Sequence, residues 1–303
     1  MAGSAPEVRR LTRAWRVGGQ SVGLVPTMGA LHEGHLSLVR ASNRENDRTV
    51  VSVFVNPLQF GPREDLSRYP RRLEEDLGLL GPGGAQHADA VYAPGVEEMY
   101  GPEGRASTRV RVLGLDEVLE GRARPGHLEG VATVVAKLFN AVAPDRAYFG
   151  RKDAQQLAVV TRLARELDTG VEVRPCPTVR EPDGLAMSSR NAYLTGPERK
   201  AATCLFRALA AAQELHAADE RDPARLALAM RRVLASEPLV TAVDYAELVD
   251  PDTFTPPGDL AVLAVQLRDT RLIDNHLLGF PLTPGRSPRG PSPDRVGGPP
   301  GPR

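Results

Sequence analysis

Residues 22–35 read VGLVPTMGALHEGH, a short apolar run that leads through a turn with a glycine into the polar start of a helix. Four more runs of β-forming apolar residues lie at 50–55, 90–92, 147–149 and 171–173, and segments with helical character separate them. Short strands that alternate with helices are typical of a parallel sheet with crossover helices. Because ligands of such sheets bind beyond the carboxyl ends of the strands, we expect a site in the loops after Val25, Val55 and Phe149.

The chain changes character after Arg190, where a second and smaller domain is expected. Its predicted elements are helices at 197–218 and 223–236, each opened by a proline, and strands at 243–249, 260–267 and 271–277. A tight turn at Asp269-Thr270 is predicted to join the last two strands, which gives an antiparallel sheet with helices. At the amino terminus, Val8, Leu11 and Trp15 recur at helical spacing and predict a short helix that packs against the rest of the protein.

Residues 284–303 consist of glycine, proline, serine and four arginines with a single valine and a single aspartate. A segment with so little apolar surface cannot offset the entropy that ordering costs, so a disordered tail is predicted. The arginines make the tail mildly basic, but its composition favours a solvated tail over a binding arm.

Composition excludes several classes of protein. Lys and Arg together number 38, as do Asp and Glu, so the formal charge is zero, whereas nucleic-acid binding proteins usually carry a basic excess. The two cysteines, Cys176 and Cys204, lie far apart and indicate neither a disulfide framework nor a zinc site. No apolar run is long enough to span a bilayer, and residues 1–16 lack the apolar stretch of a signal peptide. We therefore expect a cytoplasmic protein without a nucleic-acid or membrane partner.

The turn at 26–35 is the first candidate site. Free N–H groups and the dipole at the start of a helix attract phosphate, and His32 and His35 are spaced to lie on one side of a helical turn. Histidines at such positions also serve as caps or core residues, so the pair alone leaves both interpretations open. No Walker A lysine motif and no GxGxxG after a strand is present, which argues against a kinase or a dehydrogenase.

Three other loops carry polar groups at places where a ligand could bind. Residues 56–60, NPLQF, present two amides, which can bind hydroxyl and carboxylate groups without adding charge, or can simply cap a turn. Residues 149–156, FGRKDAQQ, combine a glycine with a cation for phosphate and an acid for ribose, although a charged helix start is an alternative. Residues 187–191, MSSRN, supply two hydroxyls and a guanidinium at the expected domain junction, or a polar linker.

Together these segments resemble the pantothenate synthetase family, within the superfamily of nucleotidylyltransferases and class I aminoacyl-tRNA synthetases that carries the HxGH signature. The segments that carry the resemblance are PTMGALHEGH at 26–35, NPLQF at 56–60, RPGHLEGV at 124–131, PDRAYFGRKDAQQL at 144–157 and PTVREPDGLAMSSRNAYL at 177–194. The resemblance extends over residues 21–279. Five motifs in the same order are far more specific than any one of them.

The resemblance implies an α/β fold: a Rossmann-like doubly wound parallel sheet in residues 1–186, with residues 187–283 as an α+β domain that acts as a lid. It also implies a reaction in which the carboxylate of pantoate attacks the α-phosphate of ATP, after which β-alanine attacks the pantoyl-adenylate to give pantothenate and AMP. Such a reaction depends on neutralisation of charge around the phosphorus more than on a strong base.

The resemblance assigns residues to these substrates. Contacts with ATP are expected from Met28, Gly29, Ala30, Leu31, His32, Glu33, Gly34, His35, Gly150, Arg151, Lys152, Asp153, Val179, Met187, Ser188, Ser189 and Arg190. Among them His32, His35, Lys152 and Arg190 are the expected catalytic residues, with His35 as proton donor. Gln59 and Gln156, with Asn56, are expected to bind pantoate and β-alanine.

Mg²⁺ is expected to accompany ATP, held largely by phosphates and water, with Glu75 and Asp76 as possible outer ligands on what otherwise reads as a charged helix face. A homodimer is implied by the family. Two positions depart from the usual pattern: Arg151 stands where the family usually has glutamate or lysine, and Leu128 replaces a phenylalanine. Neither change removes a charged group that binds a substrate.

Two other functions are compatible with parts of the pattern. A nucleotidylyltransferase that transfers AMP to a phosphorylated acceptor shares the superfamily motifs, but the amides of Gln59 and Gln156 suit such an acceptor less well than cations would. A nucleotide-binding regulator without catalysis would be expected to lose His35, Lys152 or Arg190, and all three are present.

Overall fold

The computed structural model of the chain describes residues 1–62, 64–82, 84 and 86–285. The predicted disordered tail at 284–303 therefore lies outside the described residues, except for Pro284 and Gly285. Gly285 donates its backbone N–H to the carbonyl of Glu181.

A five-stranded parallel sheet forms the centre of the protein, as predicted. Its strands are β1 Val22–Thr27, β2 Arg48–Val53, β3 Ala90–Tyr92, β4 Arg146–Gly150 and β5 Glu172–Cys176. The order across the sheet is β3-β2-β1-β4-β5, and all neighbours run parallel. The connections leave the central strand β1 in opposite directions, so the crevice at its carboxyl end is where a ligand is expected in such sheets.

Helices cover both faces of this sheet, which confirms the doubly wound arrangement. They are α1 Ala5–Val17, α2 Glu33–Glu45, α3 Leu73–Leu80, α4 Val96–Tyr100, α5 Leu119–Ala123, α6 His127–Val142 and α7 Ala154–Glu166. Leu24 packs in one buried cluster with residues of α6 and α7, while its neighbour Val25 packs in another with residues of α2. Across the described ranges, no helix is both long enough and apolar enough to cross a membrane.

The predicted amino-terminal helix is present as α1, but it buries a different face. Val8 is fully buried and Trp15 packs against the main core, as the spacing suggests. Leu11 is 41% exposed, and Thr12 is buried in its place. The hydroxyl of Thr12 donates to the carbonyl of Arg9 in the previous turn, which allows a polar side chain to lie on the packed face.

The second unit contains a three-stranded antiparallel sheet with helices, also as predicted. Its elements are α8 Gly196–Ala201, α9 Cys204–Ala217, α10 Pro223–Ala235, β6 Val240–Val249, β7 Leu260–Leu267 and β8 Thr270–Leu277. The predicted position of the tight turn was wrong by one residue. Leu267 pairs with Thr270, so the turn consists of Arg268 and Asp269, and Arg268 adopts the left-handed conformation that closes it.

The single helix predicted at 197–218 is instead two helices, α8 and α9. At the break, the backbone N–H and the hydroxyl of Thr203 both donate to the carbonyl of Lys200, the latter at 2.7 Å. A threonine that bonds back to its own turn competes with the regular helical pattern, and this accounts for the interruption.

The two faces of the antiparallel sheet pack against different partners. Residues of one face, among them Ala246 and Leu263, form a separate core with α9 and α10. Residues of the other face belong to the large core of the first unit: Tyr245, Val249, Leu260, Val262 and Ala264. The second unit is therefore joined to the first through a buried apolar surface.

Candidate active site

A cleft of about 540 Å³ opens at the carboxyl ends of β1, β2 and β4, with β8 and residues 177–193 on the opposite side. Most of the predicted site residues line it: Met28, His32, Gly34, His35, Asn56, Gln59, Gly150, Lys152, Asp153, Gln156, Val179, Met187, Ser188, Ser189 and Arg190. Others lie in the same loops without lining the cleft: Gly29, Ala30, Leu31, Glu33 and Arg151. The four separate motifs are thus brought together around one space.

The two histidines are oriented by their own turn. His32 is the N-cap of α2, and its Nδ1 accepts a hydrogen bond from the backbone N–H of Gly34 at 3.1 Å. The Nδ1 of His35 faces the backbone N–H of His32 at 3.4 Å, and the two ring centroids are 4.1 Å apart. Because each Nδ1 is an acceptor, the proton of each neutral ring is on Nε2. The pair therefore offers Nε2–H donors.

Both imidazoles are neutral in the free protein. Burial, reinforced by the nearby charge of Lys152, lowers the pKa of His32 to about 4. Burial together with the neighbouring His32 and Lys152 lowers the pKa of His35 to about 3. Without a ligand these side chains are therefore hydrogen-bond donors rather than cations, and an anion bound nearby would raise both pKa values.

Gly34 is required between the two histidines for steric reasons. A Cβ at this position would lie 2.7 Å from the Cε1 of His32, closer than any normal contact. The absence of a side chain lets the ring of His32 fold back over the first turn of α2, where its Nδ1 reaches the backbone.

Asp76, which was expected as a possible outer ligand of Mg²⁺, supports this turn in the structure. Its side chain is buried, and its two carboxylate oxygens accept the backbone N–H groups of Ala30 and Leu31 at 3.0 and 2.8 Å. The neighbouring Glu75 is exposed and pairs with Arg72. Neither acid lines the cleft, and no group of three or more potential metal ligands occurs in the part of the chain that the structure describes.

The amide of Gln59 has its orientation fixed by Asn56. Asn56 accepts from the backbone N–H of Leu58 and from the hydroxyl of Tyr100, so its Nδ2 is the atom that donates to the carbonyl of Gly130 and to the Oε1 of Gln59, both at 3.1 Å. With Oε1 engaged, the Nε2 of Gln59 faces the Met28 sulfur at 3.2 Å and can donate into the cleft. Asn56 is fully hydrogen-bonded inside the protein, so its role in this structure is to orient Gln59.

Lys152 lies in a turn that the second unit holds in place. Residues Arg151–Asp153 form a 3-10 turn between β4 and α7, and the Nζ of Lys152 is 3.5 Å from the carboxylate of Asp153. From β8, the side-chain amide of Asn275 donates to the backbone carbonyls of Arg151 and Lys152 at 3.0 and 2.7 Å. The side chain of Arg151 is exposed.

Two adjacent glutamines on α7 serve different purposes. Gln156 lines the cleft, as predicted. Gln155 is buried, where it bonds to the backbone of Leu115, Val118 and Glu120. Gln156 thus faces the cleft, whereas Gln155 fixes the segment at 115–120.

Arg190 is held by an acid that the sequence did not single out. Its Nε and Nη2 each donate to Asp65 at 3.0 Å, in a bidentate pair. The Nη1 group has no protein partner among the described residues and belongs to a side chain that lines the cleft. Nearby, the hydroxyl of Ser189 donates to the carbonyl of Ala30 at 3.2 Å, which connects this segment to the histidine turn.

Sequence reasoning missed Asp65, Glu120, Arg271 and Asn275. None of them lies in a motif, and each meets its partner through a contact more than 120 residues away in the chain. For Arg124 and His127 a signal was available, because residues 124–131 are among the segments that carry the resemblance to the family. No role for either residue followed from that signal.

Comparisons with known proteins agree with this geometry. The family model for Pantoate-beta-alanine ligase matches residues 1–277. The pantothenate synthetase of Rubrobacter xylanophilus is 54% identical over 286 residues, which are 91% of this chain and 97% of that protein. The pantothenate synthetase of Roseiflexus castenholzii is 56% identical over 263 residues, or 85% of this chain and 92% of that protein.

Solved structures give the same result. Pantothenate synthetase from Thermus thermophilus aligns with a TM-score of 0.84 at 48% identity and covers 91% of this chain and 98% of that one. Pantoate-beta-alanine ligase from Francisella tularensis, complexed with beta-gamma ATP and beta-alanine, aligns with a TM-score of 0.75 at 30% identity and covers 91% and 96%. Similarity of sequence and of fold thus extends over nearly the whole chain.

Proposed function

The chain belongs to the pantoate-beta-alanine ligase family, and from that premise we propose which of its residues carry the reaction. The protein is an enzyme that condenses (R)-pantoate with β-alanine to pantothenate at the expense of ATP. It thus contributes to the biosynthesis of pantothenate. We propose that the reaction proceeds through a pantoyl-adenylate, in two successive displacements in the cleft between the two sheets.

In the first displacement, an oxygen of the pantoate carboxylate bonds to the α-phosphorus of ATP while the bond to the β-phosphate oxygen breaks and pyrophosphate leaves. The observation that carries this proposal is the pair of Nε2–H donors at the start of α2, with Lys152 close enough to depress the pKa of both imidazoles. Preorganised donors around a phosphate stabilise charge that grows in the transition state. The cations Lys152 and Arg190 neutralise the departing pyrophosphate, and His35, protonated once the bound phosphates raise its pKa, is the proposed proton donor to it.

Pantoate is recognised by amides. The Nε2 of Gln59 is a donor whose orientation is fixed, and Gln156 lies on another wall of the cleft. Uncharged donors can bind a carboxylate or hydroxyl group without making it a weaker nucleophile, whereas a nearby cation would weaken it. We assign Gly150, Asp153 and Val179, which line the cleft, to the nucleoside.

In the second displacement, the neutral amine of β-alanine attacks the acyl carbon of the adenylate. The bond between that carbon and the phosphate oxygen breaks, AMP leaves with the electron pair, and the new amide nitrogen loses a proton to the medium. Lys152 and the histidine donors remain beside the phosphate that becomes AMP.

We further propose Mg²⁺ as the partner of ATP, a homodimer as the assembly and the cytoplasm as the location. Of the acids that line the cleft, Glu64, Asp65, Glu120 and Asp274 are paired with arginines, which leaves Asp269 in the turn before β8 and Asp153 beside Lys152. Asp153 is the one that lies in a predicted ATP-binding loop. Such a donor set fits an ion held by phosphates and water, which neutralises phosphate charge. Light scattering after gel filtration tests the dimer. A lid function for residues 187–283 is also proposed.

Product analysis tests the adenylate mechanism. With pantoate, β-alanine, ATP and Mg²⁺, mass spectrometry should find AMP and pyrophosphate. Formation of ADP would contradict an adenylate. Release of pyrophosphate with pantoate alone, followed by pantothenate only when β-alanine is added, separates this ligase from the alternative transfer of AMP to a phosphorylated acceptor. The relatives named above support the ligase over that alternative.

A further inference from the structure

The segment at 124–131, which has no role in the reaction as proposed, lies directly behind Gln59. The backbone carbonyl of Gln59 accepts hydrogen bonds from the Nη2 of Arg124 at 3.2 Å and from the Nδ1 of His127 at 2.9 Å. Gly130 allows the turn at 56–59 to approach α6, since a Cβ there would lie 2.4 Å from the carbonyl oxygen of Leu58. Both acceptor positions of the Gln59 carbonyl are therefore used by one segment.

Arg124 makes hydrogen bonds through four of its five N–H groups, and the fifth faces a carboxylate. Nε and Nη2 donate to Glu64 at 2.8 and 2.6 Å, and the other Nη2 hydrogen is the one donated to Gln59. Nη1 faces the Nε2 of His127 at 3.0 Å and the carboxylate of Glu120 at 3.6 Å. Its side chain is 11% exposed. A guanidinium with four donors in hydrogen bonds and the fifth beside a carboxylate is committed to its protein neighbours and can orient them.

The protonation of His127 agrees with this arrangement. Burial and the adjacent Arg124 charge lower the pKa of His127 to about 4, so the ring is neutral. Its Nδ1–H then donates to Gln59 while its Nε2 accepts from Arg124. The two side chains hold the Gln59 carbonyl from adjacent directions.

This cluster is connected to the second unit through Glu120. Arg271 of β8 donates to both carboxylate oxygens of Glu120 at 2.9 and 2.6 Å, and the hydroxyl of Tyr245 in β6 donates at 2.7 Å. Glu120 is 5% exposed, and its pKa is lowered to about 2, since these partners outweigh the opposing effect of burial. An ionised and immobilised carboxylate thus fixes one side of the Arg124 guanidinium.

We propose that Arg124 is the positioning residue for Gln59 and that Glu120, itself held by Arg271 of the second unit, keeps Arg124 in place. The inference rests on the proposed role of Gln59 in pantoate binding. Arg124 should therefore affect the binding of pantoate and not that of ATP, because its contacts lead to the turn after β2 and not to the histidine or Lys152 turns.

Arg124→Lys tests the inference while it preserves the charge. A lysine cannot reach Glu64, His127 and the Gln59 carbonyl together, since its donors radiate from one nitrogen. The KM for pantoate should rise about tenfold, while the KM for ATP changes by less than about twofold. The matched control is Arg122→Lys, in α5 two residues earlier but exposed, which should change neither constant.

Gln59→Ala, measured alongside, separates the two levels of the argument. Suppose that Gln59→Ala raises the KM for pantoate. If Arg124→Lys has a Tm within about 3 °C of the parent and leaves that KM unchanged, the positioning role of Arg124 is wrong and the role of Gln59 stands. If Gln59→Ala itself leaves the KM for pantoate unchanged, the proposed role of Gln59 and the positioning role of Arg124 are both wrong. Equal increases for ATP and pantoate would also overturn the inference, since they indicate a general disturbance. Should Arg124→Lys fail to fold, Arg271→Lys must raise the KM for pantoate selectively, and no change refutes the inference.

Discussion

The turns after β1 and β2 lie side by side at the same edge of the sheet, yet they are stabilised in different ways. In the first, His32 and His35 are oriented by backbone groups two and three residues away. In the second, Arg124 and His127 hold the carbonyl of Gln59, and the carbonyl of Gly130 holds its partner Asn56, through contacts that span 65 to 74 residues. The proposed catalytic turn therefore orients its side chains locally, with Asp76 and Ser189 bonded to its backbone, while the proposed substrate-binding turn next to it depends on a network that reaches into another unit.

The largest effects are expected where the histidine turn and the Lys152 turn lose their donors. His35→Ala and Lys152→Ala should each lower kcat by a factor on the order of 100 or more, because both remove groups that face charge developing on phosphate. Steady-state kinetics measures the loss, and thermal unfolding should show little change. Lys137→Ala, at an exposed position on α6, is the control. Parental turnover in either stable site variant would contradict these roles.

A pH titration of stability should detect the neutral histidines. The pKa of His35 is lowered to about 3, so below a pH of about 6.5 the unfolded chain binds a proton that the folded protein does not. The free energy of unfolding should therefore fall as the pH falls, by up to about 1.4 kcal/mol per pH unit for this histidine.

Denaturant unfolding between about pH 6.5 and 5, above the range where most carboxylates titrate, measures this contribution together with those of His32 and His127, whose pKa values are also lowered. In His35→Gln, the free energy of unfolding should change less steeply with pH, by the contribution of one bound proton. An unchanged slope would mean that His35 is charged in the folded protein.

Steric change inside the histidine turn should have a smaller effect. Gly34→Ala places a Cβ 2.7 Å from the ring of His32, which must then move away from its backbone partner. We expect kcat/KM for ATP to fall roughly tenfold, because a displaced donor loses most of a charge-assisted hydrogen bond. Gly78→Ala, in α3 with open space around the new Cβ, is the matched control and should leave the kinetics unchanged. A KM for pantoate that rises as much as that for ATP would show that the two turns are not independent.

The smallest effect is expected at Arg151, whose side chain is exposed beside a nucleotide-binding turn. Arg151→Glu should change kcat/KM for ATP by less than about tenfold, and added salt should reduce the change, since exposed charges are screened. A loss on the order of 100-fold that is insensitive to salt would instead place this side chain on the phosphates. Lys152→Glu is the comparison variant and should be essentially inactive.

The contrast between local and long-range contacts also explains how much of the fold and of the site could be predicted from the sequence. The strands and the four loops are visible because apolar runs, glycines and polar motifs are properties of neighbouring residues, and the family pattern adds their roles. Asp65, Arg271 and Asn275 had no such signal, since their partners are 125, 151 and 123 residues away. Asp76 was considered as a metal ligand because its charge is evident in the sequence, whereas the two backbone N–H groups that it binds are not.

The apolar surface that joins the two units has a consequence for folding. Tyr245, Val249, Leu260 and Val262 leave water only when the antiparallel sheet is docked on the first unit, and burial of each large side chain is worth roughly 1.5 to 3 kcal/mol. Neither unit can then lose its structure without exposing part of the other. Heating should melt both in a single cooperative transition, and a chain cut between them should yield fragments that aggregate rather than two independent folding units.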